Sequence, residues 1–327
     1  MLQRINRRLD FIKGSRDGYR FGEIDVNGIP VKIRVYSNER IMLLDVFKKI
    51  YETPILITFN GDHFDLRYIY KRALKLKIKE DIIPYKLVSK GELKEAHMFV
   101  GIHIDLFKFY SNPAIKAYAF SNKYDSVSLD ELSRVLLGME KRYHELEIIE
   151  KLSPIELARY CWWDSYLTAK LFMYRSFLPL KLLVILSRIT KYPIRELSRK
   201  GVSAWIENWF YYEHRIRNYL IPNRAQLDKK EERIINMGPR PQPIISGKKY
   251  RGAIVFEPKT GLVENLVVMD FRSLYPTIIV THNISPETFS CEHEECREKN
   301  RVPELNYHFC IKEIGFIPKY LKQVIEK

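Results

Sequence analysis

Leu266-Val267-Val268-Met269-Asp270-Phe271-Arg272-Ser273-Leu274-Tyr275-Pro276-Thr277-Ile278-Ile279-Val280 is the stretch around which the rest of the chain is organised. Leu266–Met269 is apolar and holds two β-branched residues, the composition of a short buried strand. Asp270 stands at its end, and a buried carboxylate is costly unless it is paired or bound to a cation. Pro276 suits the first position of a helix that Thr277–Val280 can continue. A strand, a carboxylate, a tight turn and a helix N-terminus together can hold a cation beside a phosphate. The acid takes the cation and the free backbone amides take the anion. A plain strand followed by an Asp-capped turn is the bland alternative, and it would suffice for an isolated Asp-Phe.

The chain has 327 residues, a formal net charge of +15 and 46% hydrophobic residues. That length accommodates two domains. The excess of Lys and Arg favours a polyanionic partner, nucleic acid first, over a merely solvated basic surface. Four Gln among plentiful Lys, Arg, Glu and Ile lean toward a thermophile. No apolar run reaches membrane length, since Lys181 and Arg188 interrupt Leu178–Ile189, and the basic N-terminus lacks the apolar core of a signal peptide. An intracellular, cytoplasmic protein with no membrane partner is expected.

Local patterns assign much of the chain. Phe21–Asp25 and Ile29–Tyr36 read as strands joined by Asn27-Gly28, a hairpin signal. Asn38–Tyr51 has helical spacing, with Ile41, Leu44, Val46, Phe47 and Ile50 on its apolar side. Ile55–Phe59 reads as a buried strand and Asn60-Gly61 as a turn. Asp65 then falls at the start of a helix, where an ordinary cap is its simplest role. Asp105 follows a strand and favours a structural role; His63 and His103 suit packing or the surface. Leu129–Leu137 is amphipathic and is introduced by Ser126-Val127-Ser128. Ser153-Pro154-Ile155-Glu156 is a capping box, and its helix carries Tyr160 and Asp164 on one face. Leu178–Leu220 is helix-rich, Asp228–Met237 is charged and helical in character, and the Pro-rich Gly238–Gly247 is linker-like. Cys291, His293, Cys296, His308 and Cys310 are metal-ligating types, but Cys-x4-Cys with scattered His fits zinc spacings poorly.

Asp270-Phe-x-Ser-Leu-Tyr-Pro-x-Ile-Ile closely resembles motif A of the family B DNA polymerases. Asn60-Gly-Asp-x-Phe-Asp65 resembles that family's second exonuclease motif, and Tyr160-x-x-x-Asp164 its third. The strings following Asp65 and spanning Gly101–Phe109 look like those of archaeal members. Tyr250-Arg251-Gly252-Ala253 resembles the motif that touches the template and partitions the primer between two active sites. His282–Thr288 is also family-like.

The resemblance implies an α/β chain in three parts. An RNase H-like 3′-5′ exonuclease domain, lacking its first strand, would occupy 1–178. A helical linker would follow over 179–247, and the N-terminal part of an α+β polymerase palm over 248–327. It implies two-metal phosphoryl transfer with Mg²⁺, acting on a DNA primer-template and dNTP. Asp164 would be a direct metal ligand, Asp65 would act largely through water, and Tyr160 would orient the attacking water. Asn60 and Phe64 would contact the frayed primer end, the Phe by stacking. Asp270 would bind both polymerase metals, joined by the Phe271 carbonyl. The backbone of Ser273, Leu274 and Tyr275 would hold the triphosphate, and the Tyr275 ring would reject a 2′-hydroxyl. Cys296 and Cys310 match positions that form a disulfide in some hyperthermophilic relatives. A disulfide is therefore the first expectation there, free thiols the second and zinc the third.

The chain also departs from the family. No Asp-x-Glu, the family's first exonuclease motif, occurs in it; Glu23-Ile24-Asp25 is reversed and sits beside a hairpin turn, so it is structural. The chain is expected to begin after that first strand and to show at most feeble exonuclease activity alone. Motif B, with its triphosphate-facing Lys, and motif C, with the second palm Asp, are absent; no Asp-x-Asp occurs. A second polypeptide carrying motifs B and C is the expected partner for synthesis. A stand-alone nuclease and a non-catalytic DNA-binding or regulatory remnant are the alternatives.

Overall fold

The computed structural model describes residues 19–90, 93–141, 152–221, 256–257, 260–262, 264–271, 273–303 and 307–326. The chain divides into two compact units, Met1–Ile221 and Pro222–Lys327. In the first, β1 (Tyr19–Val26) and β2 (Ile29–Tyr36) form the antiparallel hairpin that Asn27-Gly28 announces. Both turn residues have positive φ, 54° and 79°, as a two-residue hairpin turn of this kind requires. Ile24, Val26 and Val31 bury their side chains against Trp163 and Leu167. The helix α1 (Glu39–Glu52) starts where the Asn38 side chain accepts the Arg40 N–H. Arg34 and Tyr36 of β2 both reach its Asp45 carboxylate.

β3 (Ile55–Thr58) pairs in parallel with β6 (Ile102–Asp105). Parallel strands need a crossover. It consists of α2 (Asp65–Lys75) and the antiparallel hairpin of β4 (Tyr85–Lys90) and β5 (Leu93–Met98). Leu43, Leu44 and Phe47 of α1, Leu66 and Ala73 of α2, and Tyr85 and Ala96 of the hairpin make one core. A second core surrounds β6 and α3 (Leu106–Tyr110). It also takes in α4 (Leu129–Leu132), which a π-helical turn extends to Leu137.

α5 (Pro154–Thr190) opens with the expected capping box, Ser153 and Glu156 each accepting the other's backbone N–H. Its helical path breaks at Tyr174–Phe177, where Arg175, Ser176 and Phe177 have φ of 44°, 56° and 64°. Pro179 supplies the reason: it has no N–H for the carbonyl of residue 175, and its ring would clash there in a continuous helix. α6 (Ile194–Leu197) and α7 (Val202–Ile216) follow. Leu183, Leu197 and Trp205 are buried with Ile104, Phe109 and Tyr110, so this helical segment packs into the core of the first unit.

In the second unit, Leu266–Met269 does not form the expected buried strand. These residues belong to no strand, and their exposures run from 68% to 88%. A strand needs a neighbour for its N–H and C=O groups and a face to bury. Among the described residues no strand pairs with it. The helix α8 (Leu274–Thr281) begins two residues before Pro276. Pro276 therefore takes the third helical position, where the N–H has no intrahelical acceptor in any case. After α9 (Glu294–Lys299), antiparallel bridges join Phe289 to Phe309 and Arg301 to His308. α10 (Phe316–Ile325) closes the unit. Gly315 is required at its start: an added Cβ would lie 2.6 Å from Ser285 Cβ. The described chain is a mixed α/β protein, and none of its described helices is long and apolar enough to cross a membrane.

Candidate active site

The turn after β3 is built from polar groups that face inward. Asn60 adopts φ 64°, and Gly61 leaves no room for a Cβ, which would fall 2.4 Å from Thr58 Oγ1. The buried Asp105 carboxylate accepts the N–H groups of Asn60 at 2.8 Å, Asp62 at 3.1 Å and Phe107 at 3.1 Å. One acid thus fixes the turn and caps α3, which is its structural role. Asp62 is itself fully buried and accepts from Arg199 Nε at 2.9 Å, Arg199 Nη2 at 3.1 Å and the Ala96 N–H at 2.9 Å. Burial pushes the Asp62 carboxyl up, but the Arg199 guanidinium outweighs it and holds it below the usual range. Arg199 Nη2 also donates to His103 Nδ1 at 2.9 Å, leaving His103 Nε2 as the donor to Thr58 Oγ1 at 2.8 Å. His103 is therefore neutral, and burial pushes its pKa down to about 4. No local pattern announces Arg199, because its partners lie about a hundred or more residues earlier.

This braced turn presents one wall of a cleft of about 750 Å³. Asn60, Phe64 and Asp65 line the cleft from the turn, and Tyr160 and Asp164 line it from α5. All five expected nuclease residues therefore border one cavity. Asp164 Oδ2 lies 3.0 Å from Lys141 Nζ, which also donates to the Tyr160 hydroxyl at 3.2 Å. Burial lowers the Lys141 pKa, but the Asp164 charge and the bonds to Asp164 and Tyr160 more than restore it, so the ammonium persists. Lys141 was not visible as a site residue in the sequence; a lysine three residues after a helix-ending glycine carries no signature.

Loss of hydration in the cleft pushes the Asp65 carboxyl above its ordinary range. Burial, then the charges of Asp164 and Asp65, raise the Cys161 thiol, so both acids act on one neighbouring group. Asp164 Oδ1 is buried without a hydrogen-bond partner among the described residues. An unsatisfied carboxylate oxygen is costly, and a hard divalent cation between Asp65 and Asp164 would relieve it. The two carboxylates are the right donor type for such an ion, but Lys141 already holds the other Asp164 oxygen, and the pair belongs to no group of three close donors among the described residues.

The second candidate site is less complete. Asp270, Phe271, Ser273, Leu274 and Tyr275 are all exposed around the start of α8, with Ser273 at φ 52°. Asp270 is not part of any group of three or more close His, Cys, Asp or Glu donors among the described residues. Alone it does not constitute a two-cation site. Tyr250, Arg251, Gly252 and Ala253 lie outside the described residues.

The expected Cys296–Cys310 disulfide is not formed; all four cysteines are free thiols. The Phe289–Phe309 bridge draws together the segments that follow its two residues, bringing Cys291 and His293 in beside that pair. The donor atoms of Cys291, His293, Cys296 and Cys310 all lie within 4.8 Å of one another.

Residues 19–130 match the exonuclease domain of DNA polymerase family B, and residues 192–327 match DNA polymerase family B itself. "DNA polymerase 1" of Sulfolobus acidocaldarius is 41% identical over 289 residues, covering 87% of this chain and 32% of that protein. "DNA polymerase 1" of Saccharolobus solfataricus is 38% identical over 290 residues, 89% of this chain and 31% of that one. "DNA polymerase" of Pyrococcus glycovorans is 33% identical over 304 residues, 90% and 36% respectively. The chain spans about a third of the length of these curated relatives.

Proposed function

Because the chain belongs to family B of the DNA polymerases, we propose that it is a portion of a DNA-directed DNA polymerase with 3′-5′ proofreading. An RNase H-like exonuclease domain occupies 1–178, a helical linker 179–247 and the beginning of the palm 248–327. The observation that carries this proposal is the convergence of Asn60, Phe64, Asp65, Tyr160 and Asp164 on one cleft, with Asp164 Oδ1 left for a cation.

In the nuclease reaction Asp164 and Asp65 would hold Mg²⁺, which when bound would supply water activation and stabilisation of the leaving oxygen. Tyr160 orients the water that attacks the terminal phosphodiester. Lys141 holds the Tyr160 hydroxyl and the Asp164 carboxylate in register. Asn60 contacts the frayed primer end and the exposed Phe64 ring stacks on its base. In the palm, Asp270 and the Phe271 carbonyl would be one part of a metal site. The amides of Ser273, Leu274 and Tyr275 receive the dNTP triphosphate at the start of α8, and the Tyr275 ring excludes a 2′-hydroxyl. Tyr250–Ala253 contacts the template.

Phosphoryl transfer requires a second carboxylate and a triphosphate-facing lysine. Further segments or a second polypeptide bearing motifs B and C supply them. The exposed Leu266–Met269 run and the Phe271 and Tyr275 rings favour this, since a soluble protein rarely leaves so contiguous an apolar stretch uncovered. The test is primer extension and primer degradation with Mg²⁺, with and without such a partner. Extension is expected only with the partner, and Asp270→Ala abolishes it there while changing nothing in this chain alone. Undiminished extension by the completed Asp270→Ala enzyme overturns the proposal.

A further inference from the structure

We propose that Cys291, His293, Cys296 and Cys310 form a closed, tetrahedral structural zinc site that staples the segment between α8 and α10. The four residues follow the pattern Cys-x-His-x2-Cys-x13-Cys, which matches no common zinc spacing in one run. In the fold they come from two segments held side by side. Phe289 and Phe309 form an antiparallel bridge. The Ser290 N–H donates to the His308 carbonyl at 2.9 Å, and the Cys310 N–H to the Thr288 carbonyl at 2.8 Å. Cys291 and Cys310 emerge from this ladder, His293 is the residue just before α9, and Cys296 lies in its first turn.

Among the described residues this is the sole group of three or more such donors drawn together, all within 4.8 Å. The Cys310 Sγ to His293 Nδ1 distance is 3.5 Å. A tetrahedral zinc with S at about 2.3 Å and N at about 2.1 Å has an S···N edge of about 3.6 Å. A disulfide would use two of the four donors and leave Cys291 and His293 without a role. Three sulfurs and one imidazole are a soft donor set, suited to zinc rather than to Mg²⁺ or Ca²⁺.

The surroundings fit a closed site. Cys296 and Cys310 are buried, while Cys291 and His293 are half-buried and leave a path for the ion. The Ile311 N–H points at Cys296 Sγ at 3.4 Å, a backbone donor that favours thiolate. His308 engages the Cys291 carbonyl at 2.9 Å and so supports the cluster without joining it. The Cys310 carbonyl accepts from Asn283 Nδ2 at 2.6 Å, and Asn283 Oδ1 accepts the Gly315 N–H at 2.8 Å. Asn283 lies just past the end of α8, the helix that follows Asp270. A metal here fixes the far end of that helix. Binding exchanges one proton from each of three thiols for a sulfur–zinc bond, and the protons pass to solvent.

The full chain, expressed with zinc and dialysed, is tested by elemental analysis and by replacement with Co²⁺ alone. About one zinc per chain is expected, with a cobalt spectrum showing thiolate charge-transfer and tetrahedral bands. Cys291→Ser and His293→Ala each weaken Zn²⁺ affinity by at least about tenfold, whereas Cys161→Ser leaves it unchanged. His293 is half-buried, so its truncation tests the site even if a cysteine variant fails to fold. Metal-free protein overturns the proposal, whether its cysteines are reduced or Cys296 and Cys310 are recovered as a disulfide by non-reducing peptide mapping. So does a zinc content and affinity that neither Cys291→Ser nor His293→Ala alters.

Discussion

Replacing Arg199 by Met removes the only fully buried guanidinium described around the Asn60–Asp65 turn while keeping most of the side-chain volume. Its side chain is 1% exposed and that of its partner Asp62 is 0% exposed. The substitution deletes both charge-assisted bonds to Asp62 and the bond to His103, and leaves the Asp62 carboxylate with only backbone and imidazole neighbours. Stranding one member of a buried pair typically costs about 3–5 kcal/mol, a large share of the roughly 5–15 kcal/mol that stabilises a domain. The pH dependence gives a second handle. In the native protein His103 titrates at about 4 rather than 6.5. Between those values the unfolded chain binds more protons than the folded one, so stability rises with pH. At about 1.4 kcal/mol per pH unit the gap corresponds to roughly 3 kcal/mol, fully present above pH 6.5 and lost as pH falls toward 4. In Arg199→Met the cation that opposed protonation is gone, and Asp62, 3.5 Å away, favours the imidazolium. The deficit relative to wild type should therefore shrink between pH 7 and pH 5. All four tryptophans, Trp162, Trp163, Trp205 and Trp209, lie in the first unit, so urea unfolding followed by their fluorescence reports that unit alone. A deficit below about 1 kcal/mol at pH 7, or one equally large at pH 5, would refute the reasoning.

Three further outcomes are expected. Gly61→Ala should lower first-unit stability by about 1–3 kcal/mol in the same urea assay, because the new Cβ meets Thr58 side-chain atoms at 2.4–2.8 Å. Adding Thr58→Ala should recover part of that loss, and strict additivity would show that the clash is not the cause. Asp164→Ala should reduce any Mg²⁺-dependent primer degradation by this chain to background; unchanged degradation would mean that the cleft is not its source. With a net charge of +15, primer-template affinity should fall at least about tenfold between about 50 and 200 mM salt, and an affinity indifferent to salt would remove the case for phosphate contacts.

Features set by neighbours in sequence were legible before any coordinates. Asn27-Gly28 predicts its hairpin, and Ser153–Glu156 predicts its capping box, because the atoms that satisfy each other lie within four residues. The cleft itself was legible through Asn60–Asp65 and Tyr160–Asp164, because the two family-like strings that singled them out turn out to border one cavity. What the sequence concealed depends on distant partners. Nothing near Asp62 points to Arg199, and nothing near Asp164 points to Lys141. Leu266–Met269 has the composition of a strand, but composition does not supply the neighbouring strand that a ladder needs. The proximity of Cys291, His293, Cys296 and Cys310 was concealed for a related reason: their spacing in sequence does not show that a β-bridge draws two segments together.

The exposed Leu266-Val267-Val268-Met269 run has a consequence for the life of the chain after synthesis. It is apolar, uncharged, free of proline and rich in β-branched residues, and no strand among the described residues claims its backbone groups. Such a segment is a template for its own kind: two copies can pair edge to edge as readily as one copy can pair with any other strand. Assembly and self-association therefore compete for the same residues, and the outcome is a matter of timing and concentration. A chain whose Leu266–Met269 run stays uncovered is the one expected to precipitate, as turbidity at rising concentration would show.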